Sequence, residues 1–324
     1  MERKGNLLSV RKDVRVVDAT LRDGGLVNSF YFSDETVKAL YETNVKAGVD
    51  YMEFGYKASK DLFDESKFGK WKFSKDEDIR AVVGDNDTNL KIAVMADVGR
   101  CEFKRDIIDR KDSPIDMVRV ATYIHQMPGA VEMVEYCKNK GYEVTCNIMA
   151  ISKSQESDVK QALEMLKDSG VDAIYIVDSY GSLYPEQIGR ITHFYQEVLD
   201  GTGISLGIHA HNNQQLAFAN TIESLSHGAS YLDATMSGMG RGAGNCPMEL
   251  LLGFLKNPKY SNLPVLKFVE EHILKLKAEG AVWGYDVPYM LTGQMNLHPS
   301  SAIECIANKN TNYLDFYTSL LEKD

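Results

Sequence analysis

Apolar positions along the chain follow two periods, and the two alternate. Short β-branched or apolar runs at 14–19, 51–54, 91–96, 117–121, 143–148, 173–177, 205–208 and 231–235 predict strands. Between them, 34–47, 127–140, 157–169, 185–200 and 215–226 predict amphipathic helices. Within 159–166 the apolar residues step by three and four, as a core-facing stripe requires. Glycine closes several of these segments, at Ala47-Gly48, Lys140-Gly141, Ser169-Gly170 and His227-Gly228, where a helix needs a left-handed stop.

Strands alternating with helices on this scale predict an α/β fold: a (β/α)8 TIM barrel over 1–255, with a C-terminal helical region over 256–324 packing on it. The competitor is a doubly wound open sheet. That fold favours a Gly-x-Gly-x-x-Gly turn after its first strand, whereas this chain has Leu21-Arg22-Asp23-Gly24-Gly25. The later Gly238-Met239-Gly240-Arg241-Gly242 follows the eighth strand and lacks the second half of a βαβ unit. In the tail, 266–279 predicts one helix, and 299–307 and 313–321 predict further helical pieces. The charged and aromatic stretch 57–78 reads as a lid or a solvated insertion, the insertion being favoured.

Composition narrows the class. A 324-residue chain that is 44% hydrophobic can bury a large core. A net charge of -10 argues against a nucleic-acid partner, which would demand a basic surface. No run of about 18 apolar residues is present to cross a membrane. Residues 1–13 are charged and lack a signal-peptide core, and the five dispersed cysteines form no Cys-x-x-Cys pair. Both features predict a cytoplasmic protein with reduced thiols. Cys146 sits in a strand-like run and is expected to be a small buried apolar residue.

Candidate chemistry gathers at strand ends, because a barrel of this kind places its site at the C-terminal face. His209 and His211 share one face of the seventh strand through the two-residue period, so both imidazoles can reach one ion. Closing the ring brings that strand near the first, whose end carries Arg22 and Asp23. Asp23, His209 and His211 are therefore candidate metal ligands, and Asn245 could add a carbonyl oxygen or hold a bound water. Nitrogen and oxygen donors without thiolate suit Mn²⁺, Mg²⁺ or Co²⁺, with Zn²⁺ and Fe²⁺ also compatible. Arg22 would bind a substrate carboxylate and stabilise enolate charge, or pair with a strand-end acid such as Asp178 or Glu53. Other strand ends supply Asp97, Arg119, His125, Asn147, Asp178 and Tyr180, of which Asn147, Asp178 and Tyr180 are candidate substrate contacts.

Four ordered segments resemble the DRE-TIM metallolyase superfamily. They are Asp18-Ala19-Thr20-Leu21-Arg22-Asp23-Gly24, Val177-Asp178-Ser179-Tyr180-Gly181 with Pro185 behind it, His209-Ala210-His211-Asn212-Asn213, and Gly238 through Asn245 running into Pro247 and Glu249. The stretch Val118-Arg119-Val120-Ala121-Thr122 and the tail are most similar to the 4-hydroxy-2-oxovalerate aldolase branch. The resemblance implies a divalent metal, often Mn²⁺, on Asp23, His209 and His211, with Asn245 close by and Arg22 polarising a 2-oxo acid. It also implies a tail tyrosine over the site, here Tyr289. Two positions depart from the pattern. The branch's acid/base histidine is replaced by Leu26, and the acyl-transferring relatives' glutamate by Gly25. Asn28, His125, Tyr180, Tyr289 and His298 remain as candidates for proton transfer.

These readings predict a class II type aldolase, a carbon–carbon lyase that cleaves or forms a 4-hydroxy-2-oxo acid through a pyruvate enolate. The alternatives are a Claisen-type acyltransferase or acyl-CoA lyase on the same scaffold, a Schiff-base aldolase using a lysine such as Lys57, an Fe²⁺ oxygenase, and a non-catalytic barrel. Expected partners are the small 2-oxo acid, a second copy in a homo-oligomer, and a dehydrogenase that takes up the aldehyde.

Overall fold

A computed structural model describes residues 13–322, so most of the charged N-terminal segment lies outside the described residues. Eight parallel strands form one closed ring: β1 (Arg15–Asp18), β2 (Tyr51–Tyr56), β3 (Lys91–Asp97), β4 (Met117–Thr122), β5 (Glu143–Ile148), β6 (Ala173–Asp178), β7 (Ser205–Ala210) and β8 (Tyr231–Ala234). β8 pairs with β1 from Arg15↔Tyr231 to Asp18↔Ala234, which closes the barrel and excludes the open sheet. Each strand lies within two residues of its expected bounds. Parallel neighbours require a crossover, and the crossover helices cover the outside of the ring. Asp34–Ala47, for example, is started by the Ser33 side chain accepting from Thr36 N and stopped by left-handed Gly48.

The barrel interior is built in layers by the two-residue period. Tyr51, Met117, Tyr175 and Tyr231 belong to one buried apolar cluster inside the ring. Two residues further along β2, β4 and β8 the inward positions turn polar, as Glu53, Arg119 and Asp233, all buried. On β7 the same step leads from Gly207 to His209. Gly207 is needed for space: a Cβ there would lie 2.6 Å from the Tyr175 ring. That ring in turn holds the Arg119 guanidinium 4.6 Å from its centroid. Gly207→Ala is expected to destabilise the fold by about 1–3 kcal/mol through overpacking, read as a lower denaturant midpoint. An unchanged midpoint would mean that Tyr175 can move aside.

Three local readings are corrected. The segment Leu21 to Gly25 is not a loop but part of a helix, Thr20–Asn28, that begins directly after β1. The stretch 57–78 is no solvated insertion: Trp71 is fully buried and Lys72 nearly so. The tail helix begins earlier than expected, running from Asn262–Phe268 through a π-helical turn, Val269–Ile273, into Leu274–Ala278.

Beyond it, Val287–Gln294, Ser300–Ala307 and Tyr313–Leu321 share a small apolar cluster of Ala302, Cys305, Phe316 and Leu320, against which Tyr289 packs. This part of the tail hangs over the barrel mouth. Asn296 exchanges hydrogen bonds with Ser152 (2.7 and 2.9 Å), and Trp283 Nε1 donates to the Ser237 carbonyl (3.0 Å). All five cysteines, Cys146 included, are buried and free. No helix of the described residues is long and apolar enough to cross a membrane.

Candidate active site

The first βα junction is fixed by a buried acid. Asp18 accepts from the Thr20 amide (3.0 Å), from Asn44 Nδ2 (2.6 Å) and from the Thr20 hydroxyl. Burial pushes the Asp18 carboxyl up to about 6 despite these bonds. The Thr20 hydroxyl accepts from Met236 N (2.8 Å), tying the start of the helix to the segment after β8. Arg22 and Asp23 thus emerge from a rigid first turn, next to β8 and β7.

Asp23, His209 and His211 converge there, with one ligand atom from each inside a 4.8 Å span. All three are buried. Their second nitrogens settle the tautomers. His209 Nδ1 donates to Asp233 Oδ2 (2.9 Å), and His211 Nδ1 donates to the Asp178 carbonyl (3.0 Å), because neither oxygen can donate. Each neutral ring therefore directs an Nε2 lone pair at Asp23 Oδ2, from 3.1 and 3.8 Å. Lone pairs facing a carboxylate repel unless a proton or a cation sits between them. Both Asp23 oxygens, His209 Nε2 and Asn245 Oδ1 are buried without hydrogen-bond partners. That donor set fits a divalent ion held by two nitrogens and a carboxylate.

Electrostatics favour the ligating forms of Asp23 and His211. Burial pushes the Asp23 carboxyl up, but Arg22 and the histidines outweigh it and hold it well below the usual carboxylate range. Burial drives His211 down to about 3, which keeps its ring neutral. Burial acts on His209 in the same sense, but its bonds to Asp23 and Asp233 win and raise it.

Behind the trio runs a closed circuit of charges. Asp23 Oδ1 pairs with Arg22 (3.2 Å), Arg22 Nε with Glu53 Oε2 (2.8 Å), and the same Glu53 oxygen with Arg119 (2.9 Å). Arg119 continues to Asp233 Oδ2 (2.6 Å), and Asp233 to His209, which returns to Asp23. Three carboxylates face two guanidiniums, so the circuit carries one surplus negative charge while His209 is neutral. Buried in low dielectric, that surplus invites a cation. The expected pairing of Arg22 with a strand-end acid is therefore real, and its partner is Glu53.

A cavity of about 340 Å³ opens above the trio. Arg22, Asp23, His209, His211, Asn147 and Tyr180 line it. Asn147 Oδ1 also accepts from Thr145 (2.9 Å). Asn245 sits beside Asp23 with Gly240 between them, where a Cβ would lie 2.1 Å from the Asn245 amide nitrogen and 3.6 Å from Asp23 Cγ. Asp178 turns away: its carboxylate accepts from the Ser182 (3.0 Å) and Leu183 (3.2 Å) amides and shapes the loop after β6. Tyr289 lies against Gly242 and the tail cluster and does not line the cavity. Asn28 closes its own helix by bonding Tyr31 O and Phe30 N.

Leu26 does line the cavity, so that position faces the chemistry and holds no titratable group. His125 and His298 are present instead. His125 stacks on Tyr123, and His298 sits edge-on to Tyr180 and 3.3 Å from Arg241.

Sequence reasoning missed Asp233 and Lys72. Asp233 was visible as an acid on the inward phase of a strand, two residues from Tyr231. Lys72 carried no such signal.

Comparisons with known proteins point the same way. A 4-hydroxy-2-oxovalerate aldolase of Rhodococcus jostii is 32% identical over 245 residues, 74% of this chain and 70% of that protein. An oxaloacetate decarboxylase of Mycobacterium tuberculosis is 29% identical over 254 residues, 77% of this chain and 72% of that one. Among solved structures, the N-terminal domain of a candidate aldolase from Bacteroides vulgatus superposes with a TM-score of 0.77 at 28% identity, covering 90% of this chain and 96% of that domain. The profile of the HMGL-like family matches residues 13–270, from the start of the barrel into the tail's first helix, and the chain belongs to that family of enzymes.

Proposed function

We propose that this protein is a divalent-metal-dependent aldolase that cleaves a 4-hydroxy-2-oxo acid to pyruvate and an aldehyde. The observation that carries this reading is the convergence of Asp23, His209 and His211 beside Arg22, with both Asp23 oxygens and His209 Nε2 buried without hydrogen-bond partners. Asp23, His209 and His211 would hold the ion, with Asn245 beside them. Mn²⁺ suits the nitrogen and oxygen donors. When bound, it supplies Lewis-acid polarisation of the 2-oxo group.

The protein's own residues do the rest. Arg22 receives the substrate carboxylate and the negative charge that develops on the enolate oxygen. The C3–C4 bond breaks, its electron pair becoming the enolate as the 4-hydroxyl loses its proton to a base. C3 then takes up a proton, giving pyruvate. Of the candidate proton-transfer groups, His125, His298 and Tyr180 line the cavity. Lys57 serves no Schiff base in this reading, since its ammonium is paired with Asp76 (2.5 Å).

Leu26 favours one second reading, the decarboxylation of a 2-oxo diacid. Loss of CO₂ from C3 gives the same enolate and requires no base for a hydroxyl proton, and one relative bears the name of such an enzyme. Screening 4-hydroxy-2-oxo acids and oxaloacetate for pyruvate release, with Mn²⁺ and with chelator, separates the two. Metal-restored release from a hydroxy acid is expected. Release from oxaloacetate alone would favour decarboxylation, and no release from either would remove both.

Asp233 is expected to act through His209. Asp233→Asn should weaken Mn²⁺ binding on the order of 10–100-fold by unsettling the imidazole, measured by chelator competition. Unchanged affinity would show that Asp233 serves only the fold.

A further inference from the structure

The cavity extends past the residues this reading uses, into the sector above β2 and β3, where its charge is positive. Lys72, Asp97 and Arg100 line that wall, with two cations for one carboxylate. Lys72 is only 8% exposed. Its ammonium sits among four rings: Phe63 at 4.3 Å, Tyr56 at 4.5 Å, Phe30 at 5.2 Å and Phe68 at 5.7 Å. Among the described residues it forms no ion pair or side-chain hydrogen bond.

Aromatic faces hold a cation in place without neutralising it. Burial works against the charged form and lowers the Lys72 ammonium, with Arg100 adding to the repulsion. A buried, caged cation at the edge of a substrate cavity is thus left short of one counter-charge. Asp97 does not fully supply it, since it also faces Arg100, and its Oδ1 has no partner. Arg241 also lines the cavity, beside His298.

We propose that Lys72 and Arg100 form a distal anion subsite, so that the preferred substrate is a 2-oxo acid with a second acidic group at its far end. This rests on the reading that the 2-oxo acid end lies at the Asp23–His209–His211 trio and Arg22. The two ends of the ligand then meet different parts of one cavity: metal ligands and Arg22 at one end, the caged ammonium and Arg100 at the other. Lys72 is a specificity-determining residue in this scheme and takes no part in bond breaking.

Calorimetric titration of the Mn²⁺-loaded full-length protein tests it, using 2-oxopentanedioate and its one-ended counterpart 2-oxopentanoate. The diacid should bind on the order of ten-fold or more tightly, as a charge-assisted contact to a desolvated cation predicts. Lys72→Met keeps length and ring contacts while removing the charge, and should collapse the diacid-to-monoacid ratio toward one. Arg100→Gln, an exposed change that leaves the cage intact, should reduce that ratio in part. Equal affinities in the wild type would overturn the subsite and leave the aldolase reading standing. Binding of neither acid would overturn both. A borohydride-trapped adduct on Lys72 would also overturn the subsite, because it would make this lysine a nucleophile.

Discussion

Arg119→Met is expected to destabilise the protein by about 3–5 kcal/mol, the cost of removing one partner from a buried ion network. Arg119 is wholly buried and bridges Glu53 to Asp233 across the barrel interior. Without it, the ion pairs left to the two carboxylates are Asp233 with His209 and Glu53 with Arg22. No water can replace the lost donors at 0% exposure unless the barrel opens. Methionine matches the stem of the side chain, so little of the loss would come from a cavity. Denaturant unfolding of the metal-free protein measures it. A loss below about 1 kcal/mol would mean that the two carboxyls take up protons and that the circuit is weaker than its distances imply.

Arg22→Ala should leave most of the fold and remove most of the turnover. Glu53 still holds Arg119 in this variant, so no carboxylate in the circuit's far half is stranded. What is lost is the cavity-facing guanidinium beside the ligand trio, the group placed to meet enolate charge. Removing one such preorganised donor costs on the order of 10²–10³ in kcat. Arg22→Lys should recover only part of it, since an ammonium cannot serve Glu53, Asp23 and a substrate oxygen at once with a planar fork. Steady-state pyruvate release decides the matter. Near-normal kcat in Arg22→Ala would confine this residue to a structural role.

Much of this architecture was legible before any coordinates. Short β-branched or apolar runs located every strand, because strands buried on both faces read as short apolar blocks bounded by turn signals. The convergence of Asp23, His209 and His211 was legible too, since His209 and His211 repeat on one strand face and ring closure brings β7 near β1. The helix at Thr20–Asn28 was not. Two adjacent glycines argue against a helix, yet a Cβ on Gly24 would meet the Met239 sulfur at 2.8 Å and one on Gly25 the Phe30 ring at 2.1 Å. Close packing overrode propensity there. The wall around Lys72 was hidden for a related reason. Its cage is assembled from Phe30 and from rings between Tyr56 and Phe68, an arrangement with no period that a reading of local pattern could follow.

The charge circuit has a bearing on descent as well as on stability. Its members come from β2, β4, β7, β8 and the helix after β1, and only Arg22 and Asp23 among them are neighbours in sequence, yet each oxygen shared within it answers to two donors at once. A lineage that altered one of them alone would strand a charge deep inside. Inheritance should therefore show these positions changing together or not at all, even where the rim that selects the substrate has drifted freely.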